Sequence, residues 1–239
     1  MIFLVTIKSK YFLIVLLLFV STLSFSQVRG QEFQSWNDAI LKYQFNDKLA
    51  QVGDLGARYY FDMHWSVFYI RPALQWKPTK DITLIGGVAA FYSTNPDFEN
   101  ILDLRVFQAV ELVWPRVRGF SIHHRVMVEE RWFLTDSYAT EFNVRGRYRV
   151  GLATPHYKLF GEKRSTYNQL LIEFLDELDK GTILPFSKYQ RYTFVIGRDF
   201  SKRVGLELHY QVHAIEVDQG IDIQQHIFRI RLKLNLNAS

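Results

Sequence analysis

The feature that most constrains the fold is an alternation of apolar and polar residues that recurs along nearly the whole chain. In "FRIRLKLNLN", residues 228–237, every second residue is apolar and most of the others are charged. A side-chain period of two predicts an extended strand, because a helical face repeats about every 3.6 residues. Eleven segments of this kind predict an all-β fold, and they span residues 34–45, 50–61, 66–76, 82–93, 102–114, 120–133, 140–153, 166–178, 188–198, 204–215 and 224–236.

The length of these segments indicates a membrane barrel. Strands of soluble sandwiches average about 5 to 6 residues, whereas roughly 9 to 11 residues cross a bilayer at a tilt. The sequence therefore predicts an up-and-down antiparallel transmembrane β-barrel with its apolar face toward lipid. The alternative is a periplasmic or secreted β-barrel binding protein outside the membrane. Aromatic residues near strand ends favour the membrane, and they are Trp36, Tyr59, Tyr60, Trp65, Trp76, Tyr92, Trp114 and Trp132.

The number of strands is predicted from a rule about bacterial barrels. Single-chain barrels of bacteria have an even number of strands and both ends on the periplasmic side. Because eleven segments are odd, we expect twelve strands, with ten as the alternative. A further short strand near residues 27–34, or one pair that was divided wrongly, would account for the difference. The short turns "KPTKD" and "DFSKR" are assigned to the periplasmic side and the longer "STNPDFEN" to the outside.

The first residues predict export. Lys8 and Lys10 precede an apolar run from Tyr11 to Val20, and small residues follow around Ser24. This order is typical of a cleaved signal peptide, here residues 1–26, which leaves a barrel domain at 27–239. The predicted localisation is the cell outer membrane.

Composition limits the partners. The chain has no cysteine, which excludes disulfides and a lipid-modified cysteine. The formal net charge is only +5, and two of the positive charges lie in the leader, so no nucleic-acid partner is expected. His209 and His213 would lie about 13 Å apart on one strand, too far to share an ion. We therefore predict no metal site and no cofactor.

The polar face of the strands carries a cluster of charges that we expect to line the barrel interior. One interpretation is a structural barrel filled by paired charges, and the other is a narrow conduit that favours small anionic solutes. We expect Arg145, Arg147 and Arg149 to point inward and to pair with Glu129 and Glu173 on the neighbouring strands. The full predicted set is Arg71, Arg105, Glu111, Arg125, Glu129, Arg131, Arg145, Arg147, Arg149, Glu173, Arg191, Glu207, Arg229 and Arg231.

A lipid-modifying outer-membrane enzyme is the other alternative function, and it depends on the stretch "FSIHHRVMVEE". Alternation places Ser121 and His123 on the inner face but His124 and Glu130 on the outer face. Glu130 would lie about 20 Å along the strand from His124, which is too far for a catalytic triad. The sequence also lacks a Gly-x-Ser-x-Gly motif. An enzyme is therefore not the favoured prediction.

Five stretches in order, "YIRPALQWKPTKDITLIGGVAAFY", "LRVFQAVEL", "HHRVMVEERWF", "NVRGRYRVGL" and "NQLLIEFLDEL", resemble a known family. It is the family of outer-membrane barrels labelled domain of unknown function twenty-four ninety. Its recurrent Arg and Glu set matches Arg125, Glu129, Arg131, Arg145, Arg147 and Glu173. The resemblance implies fold and location, with outer-membrane lipid and the barrel-assembly machinery as partners. It implies no activity, because the family has none assigned.

Overall fold

The computed structural model describes residues 32–159, 165–178, 189–217 and 220–237. The predicted signal peptide lies outside these residues. Within them the chain forms β-strands and turns, and no helix there is long and apolar enough to cross a membrane. The strands are β1 (Glu32–Gln44), β2 (Leu49–Tyr60), β3 (Trp65–Trp76), β4 (Ile82–Asn95), β5 (Phe98–Val113), β6 (Ser121–Leu134), β7 (Glu141–Ala153), β8 (Ser165–Glu177), β9 (Tyr189–Asp199), β10 (Val204–Val217) and β11 (Gly220–Asn235).

These strands close into one barrel in which each strand pairs with its neighbours in sequence. Consecutive strands are antiparallel, and the barrel closes where β1 pairs in parallel with β11, from Glu32↔Gln225 to Lys42↔Asn235. An odd number of up-and-down strands makes this parallel pair unavoidable, since the first and last strands run the same way. The all-β barrel is confirmed.

The prediction of twelve strands, or of ten, is wrong. β1 and β11 are hydrogen-bonded to each other directly, so no position remains between them for another strand. The eleven segments of the alternation pattern correspond to the eleven strands one by one. The expectation that the barrel starts and finishes at the same end fails for the same reason. β1 begins at one end of the barrel, and β11 finishes at the other.

Alternation places neighbouring residues on opposite sides of the wall. On β3, Val67 and Tyr69 are 7% and 6% exposed, whereas Phe68 and Ile70 between and after them are 50% and 55% exposed. Large apolar side chains are therefore exposed on the outer face, while polar groups and a second set of apolar side chains fill the inside. Two of the predicted interfacial aromatics are exceptions: Trp36 is buried, and Tyr60 lines the interior.

Three short turns lie at the barrel end where β11 finishes, and they join β1 to β2, β3 to β4 and β9 to β10. Side-chain oxygens hold them, because Asn, Ser and Thr bind nearby backbone N–H groups. Asn46 Oδ1 accepts from Leu49 N at 2.9 Å, Thr79 Oγ1 from Ile82 N at 3.1 Å, and Ser201 Oγ from Val204 N at 3.1 Å. These turns fix the register of three hairpins, and so they fix which side chains point inward.

Candidate functional site: the charged interior

The barrel encloses a cavity of about 770 Å³ whose wall receives side chains from all eleven strands. Its lining includes Tyr60 and Phe133 toward one end, and Lys42 and Lys233 toward the other. The cavity therefore extends along most of the barrel. Among the described residues, cations outnumber carboxylates in this lining: Lys42, Arg58, Arg71, Arg105, Arg125, Arg131, Arg145, Arg147, Arg149, Arg191, Arg229, Arg231 and Lys233 against Asp54, Asp103, Glu111, Glu173 and Glu207.

Glu129 on β6 is a deeply buried carboxylate of the interior, at 1% exposure. Arg145 lies directly opposite on β7, and its Nε and Nη2 donate to Glu129 Oε2 at 2.7 and 2.6 Å. Arg147 Nη1 donates to Oε1 at 3.2 Å, and Arg105 Nη1 lies 3.6 Å from the same oxygen. A carboxylate without water is costly to bury unless cations and hydrogen bonds compensate. Three guanidinium groups provide that compensation here.

Glu173 on β8 extends this network around the barrel. Arg147 Nη2 donates to both of its oxygens at 2.8 Å, so Arg147 bridges Glu129 and Glu173. Arg191 Nη1 on β9 donates to Glu173 Oε2 at 3.1 Å, and its Nε donates to His213 Nε2 at 2.5 Å. We call Glu129, Arg145, Arg147, Glu173 and Arg191 the ionic sector. It connects four consecutive strands from inside.

Asp38 joins the two strands that close the barrel. Its side chain on β1 is fully buried and accepts from Arg229 Nε at 2.5 Å and from Arg231 Nε at 2.7 Å, both on β11. Tyr69 on β3 donates its hydroxyl to Asp38 Oδ2 at 2.9 Å. The two arginine bonds cross the parallel β1–β11 pair, and the tyrosine bond connects β1 to β3. They stabilise the closure independently of the backbone ladder.

Two further carboxylates are bound with the fork geometry that favours arginine. Asp54 lies opposite Arg71 in the β2–β3 pair and accepts from its Nε and Nη2 at 2.7 and 2.6 Å. Asp103 on β5 accepts from Arg105 Nε at 3.0 Å and from Arg131 Nη2 at 2.6 Å. Asp54 neutralises the charge of Arg71, whereas Asp103 is shared by two arginines and neutralises the charge of one.

Charges toward the barrel end where β11 finishes are held more loosely. Glu111 is 3.6 Å from Arg125 and 3.7 Å from Arg149, and no hydrogen bond joins it to either of them. The side chains of Glu111 and Arg149 are 29% and 31% exposed. Water can therefore screen these pairs, and we expect them to contribute little to stability.

The inward face of β3 to β6 carries an apolar sector, which packs as one cluster of buried side chains. Gly87 makes this packing close: a Cβ there would lie 2.7 Å from both Phe107 Cζ and Ala73 Cβ. Arg105 stacks over the Phe91 ring at 3.8 Å, so the sector also supports a guanidinium group. Its members are Val67, Tyr69, Ala73, Ala89, Phe91, Phe107, Ala109 and Met127.

A family model described as "Protein of unknown function (DUF2490)" matches residues 33–226, from β1 into β11. The chain belongs to this family. No curated protein and no solved structure matches it. The part of the chain matched by the DUF2490 model contains the ionic sector, the apolar sector and Asp38.

The structure of this DUF2490 chain brings the predicted interior residues together. Arg145 and Arg147 contact the predicted partners Glu129 and Glu173, whereas Arg149 is placed near Glu111 because Arg147 and Arg191 occupy Glu173. Glu129 lies behind the cavity wall and contacts it through Arg147. The predicted residues that line the cavity are Arg71, Arg105, Glu111, Arg125, Arg131, Arg145, Arg147, Arg149, Glu173, Arg191, Glu207, Arg229 and Arg231.

Sequence reasoning missed the interior residues Asp38, Asp54 and Arg58 of the DUF2490 barrel. The strands β1 and β2 carry polar and apolar residues on both faces, so alternation alone did not show which face was inward. Register is the signal that could have found Asp54, because pairing β2 with β3 through the short turn places it opposite Arg71. No comparable signal indicated Asp38, whose partners lie at the far end of the sequence.

Histidines of this chain take part in hydrogen bonds along the wall. His209 Nε2 is 2.9 Å from Glu207 Oε2, and His213 Nδ1 is 2.7 Å from Gln225 Oε1. Ser121 Oγ is 2.8 Å from His123 Nε2 on the inner face. No carboxylate hydrogen-bonds to His123 within the described ranges, so this pair lacks the third member of a triad there.

Proposed function

We propose that the chain is an outer-membrane β-barrel whose interior is a narrow, cation-lined path for small anions. The observation that carries the proposal is the inversion of the usual polarity of a protein. Leu208, Phe228 and Ile230 are 50%, 55% and 52% exposed on the outer face, while charged groups such as Glu129 are buried inside. In water this arrangement would expose a wide apolar surface, whereas a bilayer would cover it.

The export signal predicted at residues 1–26 supports the same location. An outer-membrane barrel reaches its site through the export pathway and the barrel-assembly machinery, which would be its partners together with outer-membrane lipid. The charged residues on the wall would then be held away from hydrocarbon. Placing even one of the arginines in lipid near the midplane would cost about 2 to 4 kcal/mol.

The size of the cavity supports a path for ions and excludes large solutes. A hydrocarbon core is about 30 Å thick, so a volume of about 770 Å³ corresponds to a mean cross-section of roughly 25 Å². That area admits water and small ions. The excess of arginine and lysine in the lining favours anions over cations by electrostatics.

A closed structural barrel is the second candidate function, and a specific observation favours it. Arg147 bridges Glu129 and Glu173 across the interior face, which holds three strands together and narrows the space between them. In this case the ion pairs would only stabilise the barrel wall, and no solute would pass through the interior.

Three measurements test these functions, the first on fractionated cells and the other two on the purified chain. Outer-membrane fractionation, with a mobility shift on boiling in a gel, is the outcome expected for a membrane barrel. Recovery in the soluble periplasm without a shift would refute it. In planar bilayers the conduit predicts small, anion-selective current steps. The absence of current steps there would favour the structural barrel. Lipid hydrolysis by the purified chain in detergent would instead support the enzyme alternative.

A further inference from the structure

Arg58 on β2 differs from every other arginine that lines the described interior. Each of the others lies within 4.0 Å of a carboxylate, but Arg58 has no ion pair and no hydrogen bond among the described residues. Its Nε is buried without an acceptor, and the side chain lines the cavity. A buried donor without a partner is costly, and so it requires an explanation.

Aromatic rings hold the Arg58 guanidinium in place. Its Cζ lies 4.0 Å from the ring centroid of Trp36, 4.9 Å from that of Tyr69 and 5.1 Å from that of Phe91. Ring faces attract a cation, but they accept none of its five N–H groups in the plane of the guanidinium. The group is therefore fixed in direction, and no acceptor among the described residues occupies its in-plane donors.

We propose that Arg58 is the binding group for a small oxyanion inside the barrel. A carboxylate or a phosphate presents two oxygens at the spacing of the guanidinium fork, and Arg binds such groups through two parallel hydrogen bonds. Neighbouring cations strengthen the site: Arg191 and Arg229 also lie over Trp36, at 5.4 and 5.5 Å from its ring centroid. Arg191 and Arg229 already have carboxylate partners. Of these three arginines, Arg58 is therefore the one whose N–H donors are not used by a carboxylate among the described residues.

This inference deepens the proposed function, since it rests on a cavity that anions can enter. It goes further by naming the residue and the class of anion. A conduit lined by arginines in general would accept chloride as readily as phosphate. A fork at Arg58 predicts a preference for oxyanions, because a single chloride ion cannot accept both parallel hydrogen bonds along their axes.

The test is titration calorimetry of the refolded, full-length chain in detergent with inorganic phosphate. We expect millimolar binding by the unchanged protein, and Arg58→Gln should weaken it at least about tenfold. Arg58→Lys keeps the charge but not the fork, so it should weaken binding less. Arg116→Gln, in the exposed turn between β5 and β6, removes one cation elsewhere and should leave phosphate binding unchanged. The boiling shift on a gel shows whether each variant is folded.

The outcomes separate this inference from the conduit. Equal phosphate binding by the unchanged protein and folded Arg58→Gln would overturn the assignment to Arg58, as would no phosphate binding by the folded, unchanged protein. Equal competition by chloride would overturn the preference for oxyanions. Phosphate binding that depends on Arg58, together with silence in planar bilayers, would reject the conduit and keep the binding site. If Arg58→Gln does not fold, Arg58→Lys decides, because unchanged affinity in it would overturn the role of the fork.

Discussion

The interior of the barrel has two sectors, one filled by apolar side chains and the other by paired charges. The apolar sector on β3 to β6 fills its space with rings, methyl groups and the close approach at Gly87. The ionic sector on β6 to β9 fills its space with paired guanidinium and carboxylate groups. The boundary is β6, where Glu129 pairs with Phe107 on one side and with Arg145 on the other.

The difference teaches that an apolar residue in this barrel does not mark the outer face. On β4, from Ile82 to Asn95, no residue is charged, so apolar groups face both ways and alternation gives no phase. On β7, three arginines at every second position identify the inner face at once. A series of charges at every second position therefore orients a strand more reliably than hydrophobicity does, although a single charge such as Glu130 can lie on the outer face.

The largest effect that distinguishes the sectors is expected for Glu129→Gln. Three arginines would remain around a neutral amide, and breaking a buried ion pair from one side costs about 3 to 5 kcal/mol. Urea unfolding in detergent would measure this loss of unfolding free energy. The control is Glu130→Gln, the next residue, which lies opposite Val106 and Val144 on the outer face. A larger loss for Glu130→Gln than for Glu129→Gln would show that the inner and outer faces of β6 have been exchanged.

The comparison also requires that neighbouring residues of β6 face opposite media, and Val126→Arg tests this. Val126 is 54% exposed and Met127 is 2% exposed. In the proposed membrane placement, an arginine at Val126 should destabilise the barrel in lipid vesicles by about 2 to 4 kcal/mol. Tyr138→Arg, in the turn after β6, is the control and should be neutral. A Val126→Arg variant as stable as the unchanged protein would argue against lipid on that face.

Much of the fold could be predicted from the sequence, because long alternation is a local property. The predicted segments and the observed strands agree closely, and the interior set containing Arg145 and Arg147 followed from the same period. The strand number failed for a different reason: a general rule about even barrels replaced the count that the segments themselves supported. Asp38 could not be predicted, because its partners Arg229 and Arg231 are fixed only when the ends of the chain meet.

Within the apolar sector, Phe107→Leu should have a smaller effect than the charge removal at the opposite partner Glu129. Phe107 is 5% exposed and contacts the site of Gly87, so a shorter side chain leaves a gap without leaving an unpaired charge. Truncation of a buried Phe to Ala costs about 3 to 5 kcal/mol, and because Leu keeps most of the apolar side chain we expect a loss of roughly 1 to 2 kcal/mol. The measurement is again urea unfolding in detergent. A loss as large as that of Glu129→Gln would mean that packing, and not charge pairing, dominates the stability of the interior.

The smallest effect is expected for Glu111→Gln, at the loose end of the charged interior. Glu111 is 3.6 Å from Arg125 and 3.7 Å from Arg149 without a hydrogen bond, and it is 29% exposed. Pairs that water reaches contribute about 0 to 1 kcal/mol, and salt shortens their range from about 10 Å at 0.1 M to about 3 Å at 1 M. The loss on Glu111→Gln should therefore vanish in 1 M salt, while the loss on Glu129→Gln persists because the Glu129 side chain is only 1% exposed. A salt-independent loss at Glu111 would show that tight ion pairs continue to the barrel end where β11 finishes and close the cavity there, which would weaken the case for a conduit.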